Sequence, residues 1–97
     1  MAKLLILPPA VHFLKKIKEK ALKDKYQAVI DQLLIDPYIG ESKSGDLSGV
    51  YGCDIFYNKT NYELAYTIIE QDEETIVVIL AGTRENFYDE LKRYMKN

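Results

Sequence analysis

The sequence predicts an α+β domain in which a mostly antiparallel sheet packs against an N-terminal helical hairpin and a C-terminal helix. Two observations lead to this prediction. Apolar residues recur at helical spacing through the first third of the chain, and after residue 49 they alternate or run continuously, as is typical of strands. A final stretch returns to helical spacing. The resulting order, β-α-α-β-β-β-α, indicates an α+β fold, and we expect a single domain spanning residues 1–97.

One strand and two helices are expected in the first third of the chain. The run KLLIL at residues 3–7 suits a short strand, and Pro9 is well placed to begin a helix that continues to about Leu22. Asp24 has the position of a capping-box residue, so we expect it to open the second helix. That helix should end at Asp36, because a residue that precedes a proline is disfavoured in the helical conformation.

Three strands and a terminal helix are expected in the second half. The strand candidates are residues 50–57, 62–69 and 75–81, joined by polar turns at 58–61 and 71–74. The last of these strands is apolar on both faces, so it should lie centrally in the sheet and be covered on both sides. Thr83 then suits the N-cap of the terminal helix, and Phe87, Leu91 and Tyr94 form one apolar side of it.

The residue types that are scarce exclude several classes of protein. Cys53 is the only cysteine, so neither a disulfide framework nor a multi-cysteine metal site is expected, and a reducing compartment is indicated. His12 is the only histidine and lies far along the chain from every serine, so neither a Ser–His–Asp hydrolase nor a histidine-based metal site is expected. No cofactor is expected. The N-terminal apolar run is shorter than the roughly 20 residues of a membrane helix, so a cytoplasmic protein is expected.

Charge is distributed unevenly along the chain. Residues 1–27 carry seven lysines against two acidic residues, whereas residues 28–97 carry six basic residues against thirteen acidic ones. The basic segment is either a face for an anionic partner or a helix surface that its lysines keep in contact with water. The overall net charge of -2 argues weakly against a general nucleic-acid binder.

Arg84 occupies an unusual position for a cation. If the last helix begins at Thr83, Arg84 lies in its first turn, where the helix dipole disfavours a cation. Tyr88 follows four residues later, so the two side chains would project from the same helix face and could converge on a phosphate. The alternative is an ion pair between Arg84 and Glu85, Asp89 or Glu90.

Three short motifs give the chain a resemblance to a known family. They are Leu47-x-Gly49 followed by Tyr51, then Tyr62-x-Leu64-x-Tyr66, then Gly82-x-Arg84 with Tyr88 four residues on. In their order and spacing, and in the order of the predicted elements, they resemble the RelE/ParE superfamily of bacterial type II toxins over nearly the whole chain. The resemblance implies the same fold and a co-expressed antitoxin as partner.

The resemblance also implies site residues. Family members that cleave messenger RNA in the ribosome let a 2′-hydroxyl attack the adjacent phosphate. By this likeness Arg84 would stabilise the phosphate, Tyr88 would stack on or protonate near the scissile site, and Glu41 would act as general base. Apart from the resemblance, further RNA contacts are expected from Lys43 and Lys59 in neighbouring loops and from Lys15 and Lys16 in the basic first helix.

The sequence departs from that pattern at two positions. Cleaving members carry arginines on the strands that follow the Leu-x-Gly loop, whereas this chain has Asp54 and Glu63 there. Two carboxylates in place of two cations should weaken phosphate binding. Either Glu41 or Glu63 then serves as base, or only antitoxin binding remains.

Three functions are therefore open. The first is a ribosome-dependent mRNA endoribonuclease toxin, the second a toxin of the same fold that poisons DNA gyrase by binding it, and the third an adaptor that only binds a partner protein.

Overall fold

The computed structural model describes residues 2–96. Its elements, in chain order, are β1 (Lys3–Ile6), α1 (Pro8–Lys16), α2 (Lys20–Ile35), β2 (Glu41–Ser42), a 3₁₀ turn (Gly45–Leu47), β3 (Val50–Tyr57), β4 (Thr60–Glu70), β5 (Glu74–Thr83) and α3 (Phe87–Met95). The predicted α+β class and element order are confirmed. The two-residue strand β2 and the 3₁₀ turn were not predicted, because segments this short carry no periodic pattern.

The helical hairpin is divided differently from the prediction. α1 ends at Lys16, because Ile17 turns to extended backbone and buries its side chain. α2 then begins at Lys20, one turn earlier than expected, so the predicted capping box at Asp24 is wrong. The Asp24 carboxylate lies inside α2 and accepts a hydrogen bond of 3.2 Å from the Lys20 ammonium, four residues earlier. The end of α2 before Asp36 is as predicted.

The sheet has five strands in the order β1-β5-β4-β3-β2. Only the pairing of β1 with β5 is parallel; the other three pairings are antiparallel, as predicted for most of the sheet. β5 lies between β1 and β4 and is buried over residues 76–81, so its predicted place inside the sheet is confirmed. β3 and β4 are joined by a tight turn in which Asn58 and Lys59 both have positive φ, a geometry typical of two-residue hairpins.

Each face of the sheet has its own core. α1 and α2 cover one face, where Tyr26 and Leu33 pack against β4 and β5. α3 covers part of the other face, where Phe87 and Leu91 pack against Ala65 and its neighbours. A register shift opposite Ala65 places an extra residue in β5, so two consecutive β5 side chains point towards α3. Packing on both faces explains why β5 reads as a continuous apolar run.

The start of α3 corrects two further predictions. Thr83 is the last residue of β5, and the N-cap position of α3 is Asn86, which has a left-handed conformation with φ of 60°. Arg84 therefore lies in the turn before the helix, so the helix-dipole argument for its position does not apply. Within residues 2–96, no helix combines the length and the apolar character needed to cross a membrane.

Candidate functional site

A cluster of charged side chains lies on the α3 face of the sheet, centred on Glu63. The sheet register places Asp54 on one side of Glu63 and Gly82 on the other, so all three residues belong to the same row of this face. The side chain of Glu63 is 2% exposed, and Glu63 is the only buried charged residue in the described part of the chain. Burying a carboxylate requires partners that compensate its lost hydration.

Arg84 is the first partner that compensates the Glu63 carboxylate for its lost hydration. Its Nε donates a hydrogen bond of 3.0 Å to Oε2 of Glu63, and its Nη2 lies 3.1 Å from Oδ2 of Asp54. The backbone N–H of Arg84 donates to the carbonyl of Asn61 at 2.9 Å, which fixes the turn after β5 against the start of β4. Arg84 does form ion pairs, as the alternative interpretation predicted. Its acidic partners are Glu63 and Asp54 on the neighbouring strands, and not the predicted Glu85, Asp89 or Glu90.

Tyr88 is the second partner that compensates the Glu63 carboxylate. It lies in the first turn of α3, and its hydroxyl donates a hydrogen bond of 2.8 Å to Oε1 of Glu63. Arg84 and Tyr88 therefore converge on one anion, although Arg84 lies in the turn before α3 and the two residues do not share a helix face. In this structure the anion at that point is the carboxylate of Glu63.

Lys43 joins the cluster from the segment after β2. Its Nζ lies 2.6 Å from Oε1 of Glu41 and 4.8 Å from the centroid of the Tyr88 ring, a distance that allows a cation–π interaction. Glu41 pairs with Gly52 in the sheet, which places it at the edge of the same face. The Glu41 side chain is 78% exposed, so its carboxylate is open to solvent.

Gly52 makes room for these side chains. A Cβ at this position would lie 2.6 Å from the Tyr88 hydroxyl and 3.0 Å from Cε of Lys43. The absence of a side chain thus leaves space beside β3 for Lys43 and for the Tyr88 hydroxyl that binds Glu63. Gly52 was not predicted to have a role, although a glycine within a strand signals a close approach of another group.

Two buried tyrosines hold the backbone behind the cluster. The Tyr26 hydroxyl, coming from α2 on the opposite face, donates to the carbonyl of Glu63 at 3.1 Å and lies 3.4 Å from that of Gly82. The Tyr66 hydroxyl donates to the carbonyl of Pro37 at 2.7 Å and accepts the Gly40 N–H at 3.0 Å. Tyr66 therefore fixes the loop that leads into β2 and Glu41.

Burial and neighbouring charge shift the titration of the central groups. Burial raises the pKa of Glu63, and the nearby Asp54 raises it further, whereas the hydrogen bonds from Tyr88 and Arg84 act in the opposite direction. Burial, together with the bond to Glu63, raises the pKa of Tyr88, so this phenol is protonated at neutral pH. The hydrogen bond to Glu63 and the charge of Asp54 raise the pKa of Arg84.

The other predicted RNA contacts lie outside the cluster. Lys59 is at the tip of the β3–β4 hairpin, beyond Tyr57, and strand geometry places Tyr57 about 10 Å from Asp54. Lys15 and Lys16 are in the last turn of α1. Of the four lysines proposed to bind RNA, only Lys43 is brought to the site.

The arrangement can bind an anion and move protons. Arg84 and Lys43 are cations beside a protonated phenol, and Glu41 offers an exposed carboxylate at the edge. In the described part of the chain, no group of three or more His, Cys, Asp or Glu side chains is arranged to hold a metal ion. The groups gathered around Glu63 can supply acid–base and electrostatic chemistry.

Comparison with known proteins gives one family. The family described as the ParE-like toxin of type II bacterial toxin-antitoxin systems matches residues 4–92. A search of curated protein sequences gives no significant match.

Solved structures agree with this fold. A mutant of the Escherichia coli toxin RelE in the free state has a TM-score of 0.70 and 21% identity, over 96% of this chain and 98% of that one. The toxin-antitoxin complex RelBE2 from Mycobacterium tuberculosis gives 0.65 and 20%, over 86% and 98%. The intact E. coli RelBE complex gives 0.67 and 20%, over 84% and 95%. At such identities the likeness concerns the fold alone.

Proposed function

We propose that this chain, which belongs to the ParE-like toxins of type II bacterial toxin-antitoxin systems, inhibits translation by cleaving messenger RNA on the ribosome. The observation that carries the proposal is the convergence of Arg84 and Tyr88 on one anionic point, with Lys43 over the Tyr88 ring and Glu41 beside Lys43. Cations, a protonated phenol and an open carboxylate are the groups that metal-free cleavage of a phosphodiester requires.

The proposed reaction is a transfer of phosphorus from one oxygen to another. Glu41 accepts the proton of the 2′-hydroxyl as that oxygen attacks the adjacent phosphorus. Arg84 and Lys43 stabilise the negative charge that develops on the phosphoryl oxygens. The bond from phosphorus to the 5′-oxygen breaks, and Tyr88 gives its proton to that oxygen. The products are a 2′,3′-cyclic phosphate and a 5′-hydroxyl end.

Glu63 has a different part in this proposal. Its side chain is 2% exposed and both of its oxygens accept hydrogen bonds, so a ribose hydroxyl has no direct access to it. We assign it as a positioning residue that aims Arg84 and Tyr88. Glu41, which is exposed and lies at the edge of the sheet, remains the proposed base.

We also propose that a co-expressed antitoxin holds the protein inactive in the cytoplasm. The support is the family itself and the two RelBE complexes, in which a toxin of this fold is bound to its antitoxin. The ribosome and messenger RNA are the proposed targets of the free toxin.

One observation favours a second candidate. Two carboxylates already occupy Arg84, which leaves it less able to bind a phosphate than a free arginine. A toxin that poisons DNA gyrase by binding it needs no phosphate chemistry and tolerates such an arrangement. An adaptor that only binds a partner protein tolerates it equally.

A translation extract separates the three candidates. Added protein should produce cut message if the first proposal is correct, and intact message with impaired DNA supercoiling by gyrase if the second is. A protein that neither arrests growth on expression nor affects either assay would exclude both toxin activities and leave the adaptor.

A further inference from the structure

The two carboxylates that bind Arg84 differ in exposure. The side chain of Glu63 is 2% exposed, whereas that of Asp54 is 67% exposed and that of Arg84 is 53% exposed. Glu63 holds Nε from inside the fold, and Asp54 holds Nη2 at the surface. One partner is therefore fixed by packing and the other can turn away into water without disturbing a packed side chain.

Strand stability does not account for the position of Asp54. It lies directly opposite Glu63 in the β3–β4 pairing, and two like charges in that relationship destabilise a sheet. The guanidinium of Arg84 contacts both carboxylates and offsets their mutual repulsion. The contact of Asp54 is thus directed at the same cation that the proposed reaction uses.

We propose that Asp54 is an internal competitor for the phosphate site at Arg84. An incoming phosphate displaces Asp54 from Nη2, while Glu63 keeps Nε and hence the direction of the guanidinium. The inference rests on the proposed function for the identity of the anion, a phosphodiester of RNA. This competition explains how a site with two carboxylates still accepts a phosphate, because the Asp54 carboxylate occupies the position of the substrate phosphate and can be displaced by it.

The ion pair between Asp54 and Arg84 is expected to be weak. Exposed ion pairs in proteins contribute little, and their removal corresponds to a change of roughly 1.4- to 5-fold in an equilibrium constant. Asp54→Asn should therefore tighten phosphate binding by about that factor. Loss of Asp54 removes only a surface contact, so the fold should be retained.

The experiment is a titration of the full chain, labelled with ¹⁵N, followed by NMR at low salt. Two probes are used separately: inorganic phosphate and the 2′-deoxy dinucleotide d(ApA), which the proposed reaction cannot cleave. Amide signals of residues 84–86 report binding, and the Arg84 Nε–H signal reports whether Glu63 still holds the guanidinium. The variants are Asp54→Asn, Asp54→Ala and Glu85→Gln; the last removes one negative charge next to Arg84 in sequence.

We expect both Asp54 variants to bind both probes more tightly than the parent, with Glu85→Gln changing the affinity less. In the Arg84→Ala background the effect of Asp54→Asn should vanish. Equal gains in Asp54→Asn and Glu85→Gln would show a general charge effect, and no gain in either Asp54 variant would show that Asp54 does not compete; either result overturns the inference. The result is independent of cleavage: tighter binding by a protein that cuts no RNA would overturn the proposed function and leave this inference standing.

Discussion

The hydroxyl of Tyr88 donates a 2.8 Å hydrogen bond to one oxygen of the buried Glu63 carboxylate, whose other oxygen is held by Arg84. A turn residue and a helix residue are thereby tied to the same point of β4. The carboxylate sets the distance between the Arg84 guanidinium and the Tyr88 phenol at the start of α3. Glu63 therefore positions both Arg84 and Tyr88 in the site.

Replacing Glu63 by Ala should cost stability as well as activity. The substitution removes the carboxylate that accepts hydrogen bonds from both Tyr88 and Arg84, so the partly buried Tyr88 hydroxyl loses its acceptor. We expect a loss of about 1–3 kcal/mol in the free energy of unfolding, measured by urea denaturation. Glu41→Ala, at an exposed carboxylate, should change it by less than about 0.5 kcal/mol. Equal stability of the two variants would show that Glu63 is not held as described.

The pH dependence of stability should carry the signature of Glu63. Its pKa in the folded protein lies above its ordinary value of 4.5, so the folded state binds the proton more strongly than the unfolded chain does. The free energy of unfolding should therefore fall as pH rises from about 4.5 through the raised pKa, and level off above it. Urea midpoints measured across this range should show the slope, after subtraction of the profile of Glu63→Gln. A difference profile that is flat, or that rises with pH, would contradict the assigned direction.

Gly52→Ala tests the close approach of Tyr88 and Lys43 across β3. The added methyl group would meet the Tyr88 hydroxyl at 2.6 Å, so the phenol must move off Glu63. We expect loss of toxicity on expression and a destabilisation of about 1–3 kcal/mol, as is usual for overpacking.

Gly82→Ala is the matched control for that change. Gly82 lies on the same face, but a Cβ there would make only an ordinary contact of 3.7 Å with Phe87. Its effects on toxicity and stability should be clearly smaller. If Gly82→Ala proved as damaging as Gly52→Ala, the space at Gly52 would have no special relation to the site.

Tyr66→Phe should loosen the loop that carries Glu41 without opening the core. The substitution removes the hydroxyl that binds the Pro37 carbonyl and the Gly40 N–H, and leaves the ring in place. We expect a loss of about 1–3 kcal/mol and faster hydrogen exchange at the Gly40 amide. Tyr51→Phe, which alters a ring stacked on Tyr66 at 5.4 Å, should leave that amide protected. Unchanged exchange in Tyr66→Phe would mean that other contacts fix the loop.

The sequence was sufficient to predict the longer elements, in which apolar residues recur over many positions. α2 and β5 were found because each buries a repeated set of side chains, and the central place of β5 followed from its apolar character on both faces. The boundaries at Lys20 and Phe87 were missed. Neither Glu19 nor Asn86, the residues at the two N-cap positions, makes a side-chain capping hydrogen bond, and Glu19 is not a residue type that sequence rules look for there. Local signals at Asp24 and Thr83 then gave the wrong starts.

The site was predictable only in part. Arg84 and Tyr88 were selected from sequence, but their common partner was not, because the predicted turn of four residues at 58–61 would pair Asp54 with Ala65. The actual turn is shorter, and the register places Asp54 opposite Glu63. A shift of two residues keeps every side chain on its face, so the alternation of apolar residues gave no warning.

The most direct measurement of the central claim is the chemistry of the cut ends in a translation extract. With the parent protein, we predict message fragments that carry 2′,3′-cyclic phosphate and 5′-hydroxyl ends. Arg84→Ala should lower the cleavage rate by about 10²- to 10³-fold, the usual effect of removing one group that stabilises a transition-state anion, while Lys59→Ala, at the hairpin tip, changes it little. Intact message with the parent protein, or undiminished cutting by Arg84→Ala, would contradict the account.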